Sequence, residues 1–524
     1  MGYRLIIALL VCIALCKAHG QEFVQHHMPN DSISALPPVV RVLPNGDLWA
    51  AWSSWDIRTT PWASRLHIRK LDPGGQLLAA NDLRFSILAG GLSLFAAALL
   101  PDGGVALAGR FNSKALLVRV DASAQLMGAT HYSMTTAEAF SDVVVQPDSS
   151  LMLVGQCRDG GGFLPWIVRT DANGVLVDAW SDRIAGMEGG HQIVRPTDDG
   201  GSLLLGTHFA TVDSSGMHIA KLDGLGELEW GRFLSARQLR PVQAIQRTDG
   251  GWFVLAQQLI EAGVLSGAPV LFRIDADGTI GSNTRLWAAQ QSSSPYSDCS
   301  MDRLQDGTLI ACAAVSVLNG TAVFTMDSNG VPEPAARFVP DSALALRMKA
   351  MALDNGDLLF HGERVDTSMN TSSPLLARWD TTSAFPCGSS MVPVYTDSIG
   401  HGLGSMFVRI LLSPLVEDIT AQILPDTITW TVSDPCAIST AVQTLPHVGT
   451  GLRAFPNPAD RTARWAGLPG TQELALLDAR GQVMRSWQRP LPEVLELSGL
   501  PNGLYLLVAK SNNGMRSTRV LVQH

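Results

Sequence analysis

The stretch Ala244–Ala256, AIQRTDGGWFVLA, holds an Asp249-Gly250-Gly251 turn between two short apolar runs. Asp-Gly or Asn-Gly between such runs is a strong hairpin signal, since these residues tolerate the backbone of a tight turn. Nearly the same phrase stands at Pro44-Asn45-Gly46-Asp47, Pro101-Asp102-Gly103-Gly104, Pro147-Asp148-Ser149, Asp199-Gly200-Gly201, Asp306-Gly307 and Asp354-Asn355-Gly356, which makes seven copies. Each is read as a β-hairpin with a type I′ turn, positive φ at both central residues. A second phrase follows each copy: IRKLDPGG, LVRVDASA, IVRTDANG, IAKLDGLG, LFRIDADG, VFTMDSNG and LARWDTTS. Its aspartates, Asp72, Asp121, Asp171, Asp223, Asp275, Asp327 and Asp380, are spaced by 49, 50, 52, 52, 52 and 53 residues. This phrase reads as a strand entering a tight turn. The aspartate is expected to accept backbone N–H groups one to three residues ahead, and the following glycine to take the left-handed backbone.

Two hairpins per repeat give four strands, and four strands at a period near fifty residues describe a propeller blade. Seven copies therefore predict an all-β chain whose residues 21–384 form a seven-bladed β-propeller. A β-helix or open solenoid is the alternative, because a period does not itself establish closure. WD40 and kelch signatures are absent. The repeats resemble the Trp-ended propeller repeats of bacterial secreted proteins, most closely in RPTDDGGSLLLG followed by IAKLDGLGELEW, which ends at Trp230. The resemblance covers about residues 38–385. Ala124, Ser149 and Ser383 stand where the pattern has glycine.

The chain has 524 residues, 46% of them hydrophobic and only 16% charged, with a net charge of −9. This composition excludes a disordered polyampholyte, and the acidic balance argues against a nucleic-acid partner. Arg4, the apolar run Leu5–Leu15 and the small-x-small site Ala18-His19-Gly20 read as a signal peptide over residues 1–20. No later stretch reaches eighteen apolar residues, so no transmembrane segment is expected after cleavage. Five cysteines remain in the mature chain. Cys299 and Cys312 flank the Asp306-Gly307 turn and are expected to form one disulfide; Cys387 and Cys436, which bracket residues 385–450, are expected to form a second, leaving Cys157 as a buried thiol. Residues 385–450 are β-rich and read either as an outer strand of the last blade or as a small separate module.

From residue 451 the style changes. Pro456-Asn457-Pro458, LLDARGQVM with Asp478 and Gly481, LSGLPNGLYLLV with Gly503 and Tyr505, and the terminal RSTRVLV follow one another in order. This segment resembles the type A C-terminal sorting domain of the type IX secretion system. Arg516 and Arg519 stand where that family often has lysine. The strand and turn pattern reads as a small antiparallel β-sandwich over residues 451–524. The resemblance implies a secreted or outer-surface protein of a Gram-negative bacterium, with the type IX machinery as a partner and the sorting domain usually removed after export.

Little in the sequence points to chemistry. GxSxG, HExxH, P-loop and GxGxxG motifs are absent, and no cofactor or metal is expected. His26-His27 lies in a stretch expected to be mobile, and Asp275–Gly278 (DADG) lacks the distal glutamate of a calcium loop. Trp49, Trp52, Trp55 and Trp62 are candidates for stacking on a sugar ligand, with packing between blades the preferred role. Two function classes follow. The first is an exported binding, adhesion or interaction module for an extracellular polymer or protein. The second is an extracellular hydrolase with carboxylates gathered at the propeller mouth.

Overall fold

The computed structural model describes residues 23–29, 33–56, 64–85, 91–134, 138–158, 162–184, 188–209, 215–236, 239–259, 267–287, 296–315, 320–340, 347–366 and 371–380. It also describes most of 390–433 and most of 452–523. The signal segment, Trp62, Cys387, Cys436, Pro456, Asn457, Pro458 and Gly481 lie outside the described residues. The chain divides into two compact units, Met1–Ala437 and Ile438–His524.

The first unit is all-β and propeller-like. Among the described residues it holds seven antiparallel sheets in chain order, each built on one copy of the repeat. Sheet 1 pairs Val39–Val42, Leu48–Asp56, Ser64–Leu71 and Leu77–Phe85, with Ile33–Ala35 added beside Leu48–Asp56. Sheets 2 to 6 repeat the four-strand pattern over residues 92–133, 139–184, 188–235, 239–287 and 296–340. Their central strands are apolar without alternation because both faces are covered; every residue of Leu309–Val315 is buried.

Each pair of consecutive sheets encloses an apolar cluster. Trp49 and Phe111 belong to the cluster between sheets 1 and 2, and Tyr132 and Trp166 to the cluster between 2 and 3. The next four clusters hold Ile167 with Leu204, Leu205 with Val254, Phe253 with Phe324 and Ile310 with Phe360. The seventh cluster packs Leu359 and Leu376 of sheet 7 with Ala50 and Trp52 of sheet 1, joining last to first.

Sheet 7 takes three strands from residues 347–379 and its fourth from the start of the chain. Phe23–Pro29 pairs with Thr371–Trp379, with His26 opposite Leu375. His26-His27 is therefore part of a paired strand, not of the mobile segment the sequence suggested.

Residues 390–433 run around the outside in reverse order. Ser390–Pro393 adds to sheet 6, Tyr395–Asp397 to sheet 5, Gly402–Gly404 to sheet 4 and Phe407–Leu411 to sheet 3. Leu415–Asp418 then adds to sheet 2, Ile423–Pro425 to sheet 1 and Trp430–Ser433 to Phe23–Pro29 in sheet 7. This girdle supplies an outer strand to every sheet, and it is fastened by charge. Arg409 reaches both oxygens of Asp182 at 2.8 and 2.9 Å and stacks over Trp180, and Arg65 meets Asp426 at 2.6 Å.

The turn phrase folds differently from the expected type I′. In the first copy Gly46 N–H donates to Leu43 O and Leu43 N–H to Asp47 O, both at 2.8 Å. Only Gly46, not Asn45, has positive φ, at 84°. This is a type I turn followed by one left-handed residue, the three-residue hairpin loop with a bulge. Glycine fills that position in most copies of both phrases, and the exceptions, Ala124 and Ser149, sit at φ of 66° and 68°.

The expected Cys299–Cys312 disulfide does not form. A bulge between Ser297 and Cys299 sets Cys299 opposite Ala313, so Cys312 points to the other face. Cys299 packs between sheets 5 and 6, and Cys312 between sheets 6 and 7.

In the second unit a three-stranded sheet (Arg453–Phe455, Thr462–Ala466, Val494–Glu496) and a four-stranded sheet (Thr471–Leu477, Val483–Gln488, Gly503–Ser511, Gly514–Val522) share one core, with Ala463, Leu474, Leu495 and Leu507 fully buried or nearly so. Asp478 Oδ1 accepts Gln482 N–H at 2.9 Å, Gly503 opens a strand opposite Val522, and the Tyr505 hydroxyl donates to Pro501 O at 2.8 Å.

Candidate functional site

The repeated carboxylates are occupied by the turns. In the second phrase Asp72, Asp121, Asp171, Asp223 and Asp327 each accept the N–H groups two and four residues ahead, at 2.8 to 2.9 Å. The reach is one residue longer than expected, because the bulge carries the second amide back under the carboxylate. Asp275 differs: Arg247 lies 3.4 Å away, and Asp277 takes the N–H of Thr279 at 2.9 Å, which makes DADG a turn. In the first phrase the middle residue, Asn45, Asp102, Asp148, Asp199, Asp249, Asp306 or Asn355, accepts the N–H two ahead.

The tryptophans divide by burial. Trp49 is 2% exposed and donates to Gly103 O of sheet 2 at 3.2 Å. Trp52 is fully buried, stacked on His67 at 5.5 Å. Neither can present a face to a ligand; Trp55 is half-buried.

Two polar groups inside the sheets were missed by sequence reasoning. Ser54 Oγ lies 2.7 Å from His67 Nε2, and His67 Nδ1 lies 2.6 Å from Asp82 Oδ1, which Arg69 also holds at 2.9 Å. Burial lowers the His67 pKa against the opposing pull of Asp82. This is the hydrogen-bond order of a serine-hydrolase triad, laid across three adjacent strands and buried, with Ser54 1% and His67 0% exposed. In sheet 4, His218 Nε2 lies 2.7 Å from His191 Nδ1, and the His208 ring lies 4.4 Å from that of His218. Burial pushes His191 down to about 3, His208 to about 4 and His218 well below the usual range. Among the described residues no group of three or more His, Cys, Asp or Glu could hold a metal ion.

The site with reachable charge is the wall formed by the first strands of the sheets, at the edge opposite the girdle. Two residues before the turn opener, the copies carry Arg41, Ala98, Val144, Arg195, Ile245, Asp302 and Met351. Four are apolar and three are charged. Asp142 and Gln243 lie two residues earlier in their own strands. Arg195 donates to Asp142 Oδ2 at 2.5 Å and to Gln243 Oε1 at 2.6 Å, bridging three consecutive sheets. Asp142 Oδ2 also accepts Val194 N–H at 3.1 Å. Asp302 accepts Arg303 N–H at 2.8 Å and Ala352 N–H at 2.9 Å. Carboxylates of one sheet thus satisfy open edge amides of the next. Burial raises the Asp302 pKa and lowers that of Arg41. Arg303 and Ala352 also line a hollow of about 550 Å³ together with Thr248, Asp306, Ser328 and Asp354. The turn-held aspartates Asp72, Asp121, Asp171, Asp223 and Asp327 do not build this wall. A different, non-repeated set does, legible only as departures from an apolar position.

Among the described residues no helix is long and apolar enough to cross a membrane. No family model matches the chain. It is 27% identical over 194 residues to Nuclear pore-associated protein 1 of Homo sapiens, a match covering 32% of this chain and 17% of that protein's length. Among solved structures it is similar to a catalytically inactive virginiamycin B lyase from Staphylococcus aureus with quinupristin, at 11% identity and a TM-score of 0.42 over 67% of this chain and 98% of the other. A polysaccharide lyase matches at 10% identity and TM-score 0.41 over 65% and 89%. A Lactobacillus plantarum protein matches at 11% and 0.39 over 72% and 100%.

Proposed function

We propose that residues 23–433 are a closed seven-bladed β-propeller acting as an exported binding or interaction module, and that residues 451–524 are a type A sorting domain addressing it to the type IX machinery and the outer cell surface. The ring of seven apolar clusters supports the first part. The ordered motifs around Asp478, Gly503 and Tyr505, together with the two-sheet core, support the second. One observation carries the binding role: Arg41, Arg195 and Asp302 replace apolar residues at a single level of the inner wall, where charge is costly unless it has work to do. Its ligand is an extracellular polymer or protein. The purified full chain should bind immobilised extracellular polymers on an array; turnover of a polymer without measurable binding would favour an enzyme instead. In a host with type IX secretion, the full chain should reach the surface and a chain ending at residue 451 should stay behind.

The hydrogen-bond order Ser54–His67–Asp82 favours a second reading, an extracellular hydrolase. Covalent labelling of Ser54 in the native protein by a fluorophosphonate probe would support it, and labelling only after unfolding would count against it.

A further inference from the structure

We propose that the inner wall receives a monocarboxylate, with the Arg41 guanidinium as its anchor; this deepens the binding role above and rests on it. Of the three charged residues at that level, two are already committed. Arg195 is fixed by Asp142 and Gln243, and by Val194 O at 2.6 Å. Asp302 holds two amides. Arg41 donates to its neighbour Val40 O at 2.9 Å and, among the described residues, makes no ion pair. A guanidinium carries five N–H donors, and a half-buried one with most of them unanswered favours an acceptor that brings charge as well as lone pairs.

The surroundings select that acceptor. Ala98, Val144, Ile245 and Met351 share the level and offer no polar side chain. A carboxylate matches the guanidinium fork through two parallel N–H···O bonds. Arg195 adds a second positive charge within electrostatic reach, and its cation lowers the Arg41 pKa just as Asp142 and Asp302 raise it. Arg41 and Arg195 together balance Asp142 and Asp302, and the two carboxylates repel a dianion about twice as strongly as a monoanion, so a sulfate or phosphate dianion is disfavoured.

The test is calorimetric titration of the full chain in low-chloride buffer with galacturonate and with N-acetylalanine, using galactose and sulfate as comparisons. The proposal expects at least one carboxylate to bind and neither comparison to match it. Binding of galacturonate alone would assign a sugar source, and of N-acetylalanine alone a peptide source. Arg41→Gln should weaken binding roughly ten- to hundredfold, with Arg41→Lys in between because a point charge lacks the fork. Should Arg41→Gln not fold, phenylglyoxal modification of Arg41 in the unaltered protein, mapped by mass spectrometry, should be slowed by the bound carboxylate. Equal affinity in a folded Arg41→Gln chain, no carboxylate binding, or sulfate binding as well would overturn the proposal. A polymer bound equally by the unaltered chain and Arg41→Gln would overturn it too, while leaving the broader binding role standing.

Discussion

Acidification from about pH 7.5 to 5 acts directly on the buried imidazoles. His191 and His361 are pushed down to about 3 and His208 to about 4, each mainly by burial. Unfolded, the same groups titrate near 6.5. Because the folded-state pKa lies below the unfolded one, stability is complete above about pH 6.5 and falls as the unfolded chain takes up protons the folded chain refuses. The slope is about 1.4 kcal/mol per pH unit for each histidine, down to its folded pKa. At pH 5 that is about 2 kcal/mol each and about 6 kcal/mol for the three, comparable with the roughly 5–15 kcal/mol total stability of a domain. His67 and His218 shift in the same direction and add to the loss. Urea unfolding at about pH 7.5, 6 and 5 should show a steep fall in midpoint. His208→Leu removes one of the protons and should flatten the slope by about 1.4 kcal/mol per unit, whatever packing offset it introduces. Stability that stays level from pH 7 to 5, or a slope untouched by His208→Leu, would refute the burial argument.

Ser149→Gly should stabilise by about 0.5–1 kcal/mol in urea melts, since it relieves a left-handed backbone at φ 68° that glycine adopts without strain. Asp223→Ala, losing two amide bonds at 2.8 Å, should cost about 1 kcal/mol, and Asp275→Ala less, because Asp277 serves the turn there. Arg409→Ala strands the Asp182 carboxylate, which is 2% exposed, and should cost about 3 kcal/mol, with amide exchange rising first in residues 407–411. Peptide mapping after iodoacetamide should find Cys299 and Cys312 unmodified in the native protein and both alkylated after unfolding without reductant.

The repeats made the strands and turns readable because a left-handed turn position selects so few residues that Asp and Gly recur at each copy. The turn type was misread for the same reason. Asp-Gly suits several tight turns, and only the hydrogen-bond pair at Leu43 and Asp47 tells them apart. The symmetric placement of Cys299 and Cys312 about a turn suggested a bridge, but one bulge reverses which face a side chain takes. Of the girdle only the β-rich character and a strand for the last blade were legible, not its path past every sheet. Its strands are three to five residues long, and their partners lie far away in sequence, as Asp426 does from Arg65. The Ser54, His67 and Asp82 contacts come from three strands in register, which no local spacing announces. The inner wall was within reach. Comparing the copies column by column would have set Arg41, Arg195 and Asp302 against Ala98, Val144, Ile245 and Met351.

The strand Phe23–Pro29, held between Thr371–Trp379 and Trp430–Ser433, has a consequence for the order of folding. Pairing Phe23 with Arg378 closes a loop of about 350 residues, an entropic cost of about 5 kcal/mol that must be met before the contact repays it. The four repeat strands of six sheets can form as their own residues emerge, through neighbours in sequence, before the girdle adds to them. The last cannot, because its fourth strand comes from residues 23–29 and its first three from residues 347–379. Until both are present, the strand carrying the buried residues Leu375, Leu376 and Ala377 has an open edge, the kind of surface on which chains aggregate. Loss of the first thirty residues would therefore be felt as slow, aggregation-prone refolding more than as a missing contact.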